Sequence, residues 1–344
     1  MAATIKDIAL RAGVSVSTVS RVISNHPRIS PQTAKKVRAI MQELNYHPNL
    51  TAKSLVSKST KTLGILLPKQ ADVLLLNPFF TEAMRGIVSY STRAGYDLLM
   101  IGPPSNGEEL EAVIRIVRGK RVDGILILHS RVNDPVIAYL QKDGFPHVLI
   151  GRSEEYPSTL TVDTDNVAAA YDATHCLIRQ GHRKIGFVSG PPNLVVSRDR
   201  LEGYRKAIRE AKLPERDEWI VEGDFLQESG FRAMSFLMGL PDRPTALLVT
   251  DDIITFGIVR GLTELGYRVP DDLSLFSFNN ISLAELANPP ISSVDIGIFQ
   301  LGYTATHLLI ADVEGRSVAD RRQIIPHRLL IRGSSAPLNP RVKG

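Results

Sequence analysis

The sequence predicts an all-α helix-turn-helix head and an α/β body of two doubly wound subdomains. Three observations lead to this prediction. The first is a change of charge along the 344-residue chain. Residues 1–61 hold ten Lys or Arg and two acids, a net charge of +8, whereas the remaining residues have a net charge of −3. The second is helical spacing of apolar residues over 1–48, the segment we term the head. The third is an alternation of short apolar runs with amphipathic segments from Thr62 onward.

The composition excludes several classes of protein. With 43% apolar and 22% charged residues, the chain can bury a large core and is not expected to be mainly disordered. Its one cysteine, Cys176, excludes an intramolecular disulfide and suits a reducing compartment. No apolar run approaches the roughly 20 residues of a membrane helix, and residues 1–12 lack the apolar stretch of a signal peptide. We therefore expect a cytoplasmic protein without a membrane segment.

Capping residues predict three helices in the head. Thr4 can cap the first helix, and a glycine then separates it from a second helix over 16–23, capped by Ser15. Two short helices joined by such a turn form a helix-turn-helix. Ser30 followed by Pro31 is typical of the start of a third helix, because serine is a preferred cap and proline a preferred first residue.

The second helix carries a small, polar face that can enter the major groove of DNA. Arg21 can donate to guanine, and Val16 can contact a thymine methyl group. Hydroxyl groups nearby can donate to phosphates, which positions the head without reading the sequence. A three-helix module that binds protein is the alternative at this point. The residues that we assign to the DNA contact are Thr4, Ser15, Val16, Ser17, Thr18, Ser20 and Arg21.

A long compound motif in the head resembles the Lac repressor (LacI/GalR) family. It consists of TIKDIA at 4–9, AGVSVSTVSRV at 12–22 and LNYHPN at 44–49. The resemblance continues through nearly the whole chain. It implies a sequence-specific, nucleoid-associated repressor that binds double-stranded DNA as a homodimer, on a pseudo-palindromic operator.

The resemblance also implies that residues 49–61 form a hinge helix and linker. In the family this helix lies in the minor groove, pairs with that of the dimer mate and inserts a leucine at the central base step. The matching residue is Leu55, with Ala52 one turn earlier and Asn49 at the start, and all three are assigned to DNA contact. A core position of a linker helix is the alternative for Leu55. A helix of this length is marginal alone, so we expect it to form on DNA.

The body alternates apolar runs with helical patterns, which predicts parallel sheets covered on both faces. Its length exceeds one doubly wound sheet, so two subdomains are expected, with ligands at the carboxyl ends of the strands. Strands are predicted at 63–67, 97–101, 124–128, 147–150, 184–188, 219–222, 246–249 and 274–278. Helices are predicted at 79–94, 108–117, 167–180, 200–212, 228–238 and 253–265, among others.

In the family the body resembles periplasmic sugar-binding proteins, whose two subdomains are joined by three crossovers. We place the crossovers near Thr161, near 290–292 and near 321–323. The body is then 62–338, with a tail at 339–344. The first subdomain is expected at about 62–160 and 292–321, and the second at about 161–291 and 322–338.

Effector positions of the family carry over one at a time. The arginine that clamps the ligand falls on Arg200, whose guanidinium offers a rigid fork to paired hydroxyls. A surface ion pair with Glu202 or Asp199 is the alternative. Asp251 matches a position that accepts ligand hydroxyls, and Asn279 stands where the family usually has Asp. The full effector set is Pro78, Phe79, Arg152, Arg200, Asp251 and Asn279.

Several departures separate this pocket from that of the Lac repressor. Gly151 replaces an acid, and Ile296 and Ile298 replace positions that are often polar and aromatic. Phe79 can offer an apolar face to a sugar ring or can belong to the core. The segment 277–290 most resembles the maltose-operon repressors, so the resemblance implies a sugar such as maltose as the effector.

No catalytic signature accompanies these features. The sequence has no Gly-x-Gly-x-x-Gly, no Walker loop and no His-Glu-x-x-His, so we expect no enzyme, no cofactor and no metal site. His175 and His182 are assigned to surface and turn roles. Two alternatives remain for the function: a global catabolite regulator triggered by a phosphoprotein partner, and a sugar-binding receptor without a DNA function.

Overall fold

Two separately packed units make up the computed structural model. It describes residues 3–23, 26–46, 59–67, 76–102 and 108–338. One unit, Met1–Thr60, holds the head, and the other, Lys61–Gly344, holds the body. Each unit has its own hydrophobic core.

The head contains the three expected helices, α1 (Ile5–Ala12), α2 (Val16–Ile23) and α3 (Pro31–Glu43). The capping box at α1 is complete, because Asp7 N donates to Thr4 Oγ1 at 3.4 Å and Thr4 N donates to the Asp7 carboxylate at 2.8 Å. Apolar side chains at helical spacing then enclose a small core. Its fully buried members are Ile8, Ala9, Ala12, Val19, Val22 and Val37.

A six-stranded parallel sheet forms the first subdomain of the body. Helices cover both of its faces, with α4 (Pro78–Ala94) and α12 (Ile298–Val313) on one side, and α5 (Glu109–Arg118) and α6 (Pro135–Asp143) on the other. The spatial order of the strands is β11-β5-β4-β3-β1-β2. The strands are β1 (Thr62–Leu66), β2 (Asp97–Ile101), β3 (Gly124–Ile127), β4 (His147–Ile150), β5 (Leu160–Asp163) and β11 (Arg322–Ile324).

A second six-stranded sheet forms the other subdomain, in the order β12-β10-β9-β8-β6-β7. Here β12 runs antiparallel to β10, and the other described pairs are parallel. The strands are β6 (Ile185–Ser189), β7 (Ile220–Glu222), β8 (Ala246–Val249), β9 (Ser274–Phe278), β10 (Ser292–Asp295) and β12 (Arg328–Leu330). The helices are α7 (Asn166–Arg179), α8 (Val195–Glu210), α9 (Gln227–Met238), α10 (Asp252–Glu264) and the short α11 (Ser282–Leu286). The predicted fold class is thus confirmed.

The expected limits of the subdomains are wrong by one strand at each crossover. Residues 161–163 and 322–324 belong to the first sheet, because β5 pairs with β4 and β11 pairs with β5. Residues 292–295 belong to the second sheet, since β10 pairs with β9. The chain therefore crosses after each of these strands and not before it. Short, half-polar strands such as Ser-Ser-Val-Asp in β10 lack the apolar run that marks a buried strand.

The three crossovers meet at one hydroxyl group. Thr164, on the first crossover, has its Oγ1 3.2 Å from the carbonyl oxygen of Ile296, on the second. The same Oγ1 lies 3.1 Å from the carbonyl oxygen of Ile325, on the third. Thr164 is buried, so this polar junction lies inside the body.

Close helix packing fixes the start of α4, which reaches the cleft between the two subdomains. A Cβ on Gly86 of α4 would lie 2.1 Å from the carbonyl oxygen of Phe299, and one on Gly302 of α12 would lie 2.1 Å from that of Ala83. Larger residues at either position would push the two backbones apart. The helix pair therefore holds the start of α4 against the first sheet.

His182 does not take the simple turn role that the sequence suggests. It is buried, with Nδ1 3.0 Å from Thr245 Oγ1 and Nε2 3.1 Å from the carbonyl oxygen of Ala336. Burial lowers the pKa of His182. The neutral ring therefore joins the end of a helix to the C-terminal segment, while His175 is exposed as expected.

Candidate functional site

The outward face of α2 is polar, as expected for a surface that reads DNA. Val16 is 42% exposed, and Ser17, Ser20 and Arg21 are exposed beside it. The core residues of the helix occupy its opposite face, so this face is available to a partner. Its width and small side chains suit entry into a major groove.

Hydroxyl groups cluster at the start of α2. Ser15 Oγ accepts a hydrogen bond from Thr18 N at 3.2 Å and lies 2.7 Å from Ser17 Oγ. Thr4 is likewise exposed at the start of α1. The starts of two helices thus carry hydroxyls and backbone amides, a combination that favours phosphate. The other predicted DNA contacts, Asn49, Ala52 and Leu55, lie outside the described residues.

A cavity of about 540 Å³ lies between the two subdomains. Its volume falls in the range of small-molecule sites, about 300–1,000 Å³. Five of the six predicted effector residues line it, namely Phe79, Arg152, Arg200, Asp251 and Asn279. Pro78 is not among the lining residues and instead begins α4, where its fixed φ suits a first helical position.

Arg200 lies on the floor of this cleft and is 4% exposed. Its Nε donates to Asn166 Oδ1 at 2.9 Å, its Nη1 donates to the carbonyl oxygen of Thr250 at 2.6 Å, and its guanidinium stacks on Phe278. Burial lowers the pKa of Arg200 to about 10, so it stays cationic at neutral pH. The alternative of a surface ion pair is wrong. Among the described residues Nη2 makes no hydrogen bond, so it can donate to a ligand.

Asp251 faces Arg200 from the end of β8, where it caps α10. Its Oδ1 accepts from Ile253 N at 2.7 Å, and its Oδ2 accepts from Asn279 Nδ2 at 2.8 Å. Asn77, the cap of α4 in the first subdomain, also donates to Oδ2 at 3.3 Å. Burial raises the pKa of Asp251 to about 6. The Asp251 carboxylate thus accepts hydrogen bonds from residues of both subdomains.

Arg152 differs from the role that the sequence suggests. Although it lines the cleft, its Nε donates to Asp199 Oδ2 at 2.8 Å, and its Nη2 donates to Asp199 Oδ1 and Glu154. A second pair, Arg198 with Glu154 at 3.2 Å, lies beside it. Because Arg152 and Glu154 follow β4 while Asp199 and Arg198 lie on α8, these ion pairs join the subdomains across the rim.

Backbone hydrogen bonds reinforce this rim. Val132 N donates to the carbonyl oxygen of Asn193 at 3.0 Å, and Val195 N donates to that of Ser130 at 3.1 Å. A loop that follows β3 thus pairs with the segment that precedes α8. Together with the ion pairs, this contact encloses the cleft along one edge.

The remaining wall of the cleft is largely apolar. Aromatic rings from both subdomains contribute, Phe79 from α4 and Phe225 from the loop after β7. Phe79 also packs against the core, so both of its predicted roles are compatible with its position. Ile296 lines the cavity as well, while Ile298 begins α12 and is buried. Apolar faces of this kind suit the CH face of a ring.

His129 and Asp134 form a buried polar pair in the wall of the first subdomain. The imidazole Nε2 lies 3.8 Å from Asp134 Oδ2, which is too long for a hydrogen bond, and Nδ1 has no partner among the described residues. Burial lowers the pKa of His129 to about 3, so the ring is neutral at physiological pH. Asp134 Oδ1 meanwhile caps α6 through Val136 N at 2.8 Å.

The charges around the cleft are nearly balanced within the protein. Arg131 pairs with Glu109 through two hydrogen bonds of 2.6 and 2.8 Å, and Arg152 pairs with Asp199. Arg200 lies near the buried carboxylates of Asp163 and Asp251. An anionic ligand would have to compete with these internal carboxylates, so the cleft suits a neutral ligand with hydroxyl groups.

Sequence reasoning missed several polar and aromatic lining residues. Among them are Asn77, His129, Asp163, Asn166 and Phe225. A signal existed for two of them, because Asn77 precedes Pro78, which was predicted, and Asn166 precedes the helix predicted at 167–180. The other three follow or end strands, and their orientation depends on the crossing of the chain.

Neither a metal cluster nor a membrane helix is found in the described part of the chain. No group of three His, Cys, Asp or Glu there is placed to hold a metal ion. None of the helices in those ranges combines the length and the apolar character that spanning a bilayer requires.

Two family models match the chain. That of the bacterial regulatory proteins, lacI family, matches residues 4–49, and that of the periplasmic binding protein-like domain matches residues 174–335. The first covers α1 to α3, and the second covers most of the second subdomain together with α12.

Relatives with different names match to a similar degree over almost their whole length. The transcriptional repressor PurR of Photobacterium profundum is 36% identical over 98% of this chain and 100% of its own. The regulator MalR of Streptococcus pneumoniae is 36% identical over 96% and 99%. Catabolite control protein A of Priestia megaterium is 34% identical over 97% and 100%. These matches support the family and do not single out the maltose-operon repressors.

Solved structures agree with this assignment. A complex of the transcriptional regulator CelR with cellobiose is 30% identical, with a TM-score of 0.75 over 96% of this chain and 99% of that one. The Lac repressor dimer bound to operator and the anti-inducer ONPF is 26% identical, with a TM-score of 0.85 over 98% and 100%.

Proposed function

This chain belongs to the lacI family of bacterial regulatory proteins, and we propose that a neutral sugar bound in its cleft controls its affinity for operator DNA. The chain is a DNA-binding transcriptional repressor with an effector-binding domain, and its family consists of regulators and not of enzymes. The observation that carries the proposal is the pairing of an exposed polar face on α2 with an enclosed cleft whose charges are balanced internally.

On DNA, two heads of a homodimer are proposed to read the two half-sites of a pseudo-palindromic operator. The α2 face enters the major groove, and Arg21 donates to a guanine. On DNA, the hinge helix expected within residues 49–61 is proposed to lie in the minor groove, where Leu55 would separate a base step and kink the duplex. The solved Lac repressor dimer on its operator supports this arrangement. The protein would act in the cytoplasm, where bacterial DNA lies.

The effector is proposed to be a glucose-containing disaccharide, with maltose as the first candidate. Each hydroxyl of a sugar is both a donor and an acceptor, so it can pair with the Arg200 guanidinium and with a buried carboxylate together. Phe79 and Phe225 can cover the apolar ring faces. The segment 277–290 and the match with MalR favour maltose, whereas the match with a cellobiose complex favours cellobiose.

Sugar binding is proposed to act by changing the relation of the two subdomains. An effector that prefers one geometry of the cleft shifts the population toward it, and linkage requires DNA to shift effector affinity in return. We expect induction, in which the sugar weakens operator binding. Co-repression, in which the sugar strengthens it, is the other sign that this coupling allows.

A direct test measures both ligands on one preparation. Isothermal titration of the full-length protein with maltose, maltodextrins, cellobiose and unrelated sugars identifies the effector. Fluorescence anisotropy with a labelled operator, with and without that sugar, then measures the coupling. We expect one glucoside to bind and to change operator affinity by about 5- to 150-fold. Silence for all glucosides would contradict the proposal.

A phosphoprotein trigger is the second candidate, favoured by the match with catabolite control protein A. Its partner would use the exposed surface of the first subdomain and not the cleft. A pull-down with the candidate phosphoprotein, compared with the sugar titration, separates the two. A sugar receptor without a DNA function is disfavoured by the charge of +8 on residues 1–61.

A further inference from the structure

The carboxylate of Asp163 lies at the point where the first crossover leaves its sheet. Asp163 is the last residue of β5, lines the cleft and is 7% exposed. It comes from the first subdomain, whereas Arg200 and Asp251 come from the second. Each subdomain therefore contributes a carboxylate near the one guanidinium of Arg200.

The hydrogen bonds of Asp163 are concentrated on one oxygen. Its Oδ1 accepts from Thr164 N at 2.8 Å and from Asn166 Nδ2 at 3.0 Å. Among the described residues no hydrogen bond reaches Oδ2. Because Asp163 lines the cleft, an oxygen there without a protein donor is open to a water molecule or a ligand.

A short network fixes the direction of Oδ2 relative to the predicted clamp. Asn166 donates to Asp163 through Nδ2 and accepts from Arg200 Nε through Oδ1 at 2.9 Å. Asn166 therefore sets the spacing between Arg200 and Asp163, which share no direct hydrogen bond. One can donate to a hydroxyl oxygen while the other accepts the hydrogen of that hydroxyl or of its neighbour.

Asp251 offers less to a ligand than the family resemblance implies. Both of its oxygens already accept hydrogen bonds, from Ile253 N, Asn77 and Asn279. A ligand hydroxyl at Asp251 would displace one of these donors. At Asp163 Oδ2 it would displace no protein donor of the described residues.

We propose that Asp163 is a specificity-determining residue of the cleft, whose Oδ2 accepts a hydrogen bond from a hydroxyl of the sugar. This inference rests on the proposed function and names one further contact within it. The contact with Asp163 would select ligands that present a hydroxyl donor beside the group bound by Arg200. A sugar without that hydroxyl, or a ligand with a carboxylate there, would be rejected.

The test compares Asp163→Asn with Asp165→Asn in the full-length protein. The first change keeps an acceptor for Thr164 N and Asn166 but places an amide donor where Oδ2 stood. The second is a matched control, since Asp165 is exposed and caps α7 through Ala168 N at 2.9 Å, and asparagine caps equally well. Isothermal titration with maltose and with cellobiose gives the affinities, and anisotropy gives operator binding without sugar.

We expect Asp163→Asn to weaken binding of the sugar about tenfold or more, because the ligand hydroxyl then loses its acceptor in the cleft. The sugar affinity of Asp165→Asn should stay within about twofold of wild type, because the charge of an exposed side chain contributes little. Operator binding without sugar should be unchanged in Asp165→Asn. Wild-type affinity in Asp163→Asn would overturn this inference and leave the proposed function intact. If the wild-type protein binds neither these sugars nor other glucosides, both are overturned.

A second readout does not depend on the stability of the variant. Monodeoxy analogues of the bound sugar are titrated into the wild type, and one of them should bind about tenfold more weakly. In Asp163→Asn the same analogue and the parent sugar should bind equally. A deoxy penalty that is the same in both proteins at every position would overturn the assignment of Oδ2.

Discussion

Two arginines show how differently the two units prepare for their ligands. Arg21 is exposed on α2, whereas Arg200 is 4% exposed beneath the cleft and has two of its nitrogens engaged by protein groups. A hydrated side chain can follow a long polyanion, with an affinity that depends on salt. A buried one has lost its water during folding and meets a small ligand in a fixed direction. We therefore expect the head to recognise DNA through exposed side chains whose binding depends on salt, and the body to recognise its effector through prearranged hydrogen bonds.

The largest expected effect comes from removing the buried arginine. Arg200→Ala leaves Asp163 and Asp251 without their nearby cation, so we expect a loss of about 3 kcal/mol in the free energy of unfolding. The response to the effector should disappear while unliganded operator binding persists. Urea unfolding and operator anisotropy measure the two. Arg209→Ala is the control, because Arg209 is exposed on the same helix and pairs with Glu215 within the second subdomain. A normal sugar response in Arg200→Ala would remove Arg200 from the site.

The exposed arginine should mainly affect the discrimination between DNA sequences. Arg21→Ala is expected to reduce the preference for operator over unrelated DNA by about 1–3 kcal/mol, because one bidentate base contact is lost. Salt-dependent binding should persist through the phosphate contacts. Anisotropy at several salt concentrations measures both. Arg11→Ala is the control, since Arg11 pairs with Glu43, and unchanged discrimination in Arg21→Ala would contradict the role of α2.

The burial of His129 makes the stability of the body depend on pH. The pKa of His129 is about 3 in the folded chain and near 6.5 when unfolded, so the unfolded state binds more protons between these values. The contribution of the neutral His129 ring to the free energy of unfolding is complete above pH 6.5 and is lost as the pH falls. His129→Gln should therefore retain about 2 kcal/mol more of its stability than wild type between pH 6.5 and 5. Unfolding by urea at each pH measures this, with His175→Gln as the control. Equal pH slopes would contradict a buried neutral ring.

The smallest effect is expected at the cap of α1. Thr4→Ala removes the acceptor for Asp7 N and should reduce the stability of the head by about 1 kcal/mol. Hydrogen exchange at the amides of α1 measures this change, and the amides of the body should not respond. Ser20→Ala, at an exposed position of α2, is the control. Equal exchange in Thr4→Ala and wild type would show that the cap is dispensable.

Local patterns predicted most of the fold because they coincide with burial. The capping box at Thr4 and the apolar runs of β1 and β3 are each visible within a few residues. The strands at the crossovers are different, since β10 and β11 are short and half-polar and their pairing is decided by distant partners. No local pattern marks them.

The site was predictable where a residue type implies its role, and less so where partners decide it. Arg200 and Asp251 reach the cleft as expected. Arg152 also lines it, but the approach of Asp199 from α8 engages its guanidinium, which no sequence spacing reveals. Asp163 was missed because its role depends on which of its carboxylate oxygens accepts the hydrogen bonds of Thr164 and Asn166.

The hydroxyl of Thr164 has one hydrogen and two carbonyl oxygens at nearly equal distance. At any instant it can donate fully to the carbonyl oxygen of the second crossover or to that of the third, and a rotation of the O–H bond about Cβ–Oγ1 exchanges them. As the subdomains rock, one carbonyl can recede while the other approaches, so the junction stays bonded at either end of the swing. Such a joint resists dissociation of the crossovers while offering little resistance to bending. Movement between cleft geometries would then be limited by the rim, where ion pairs must break, and not by the pivot.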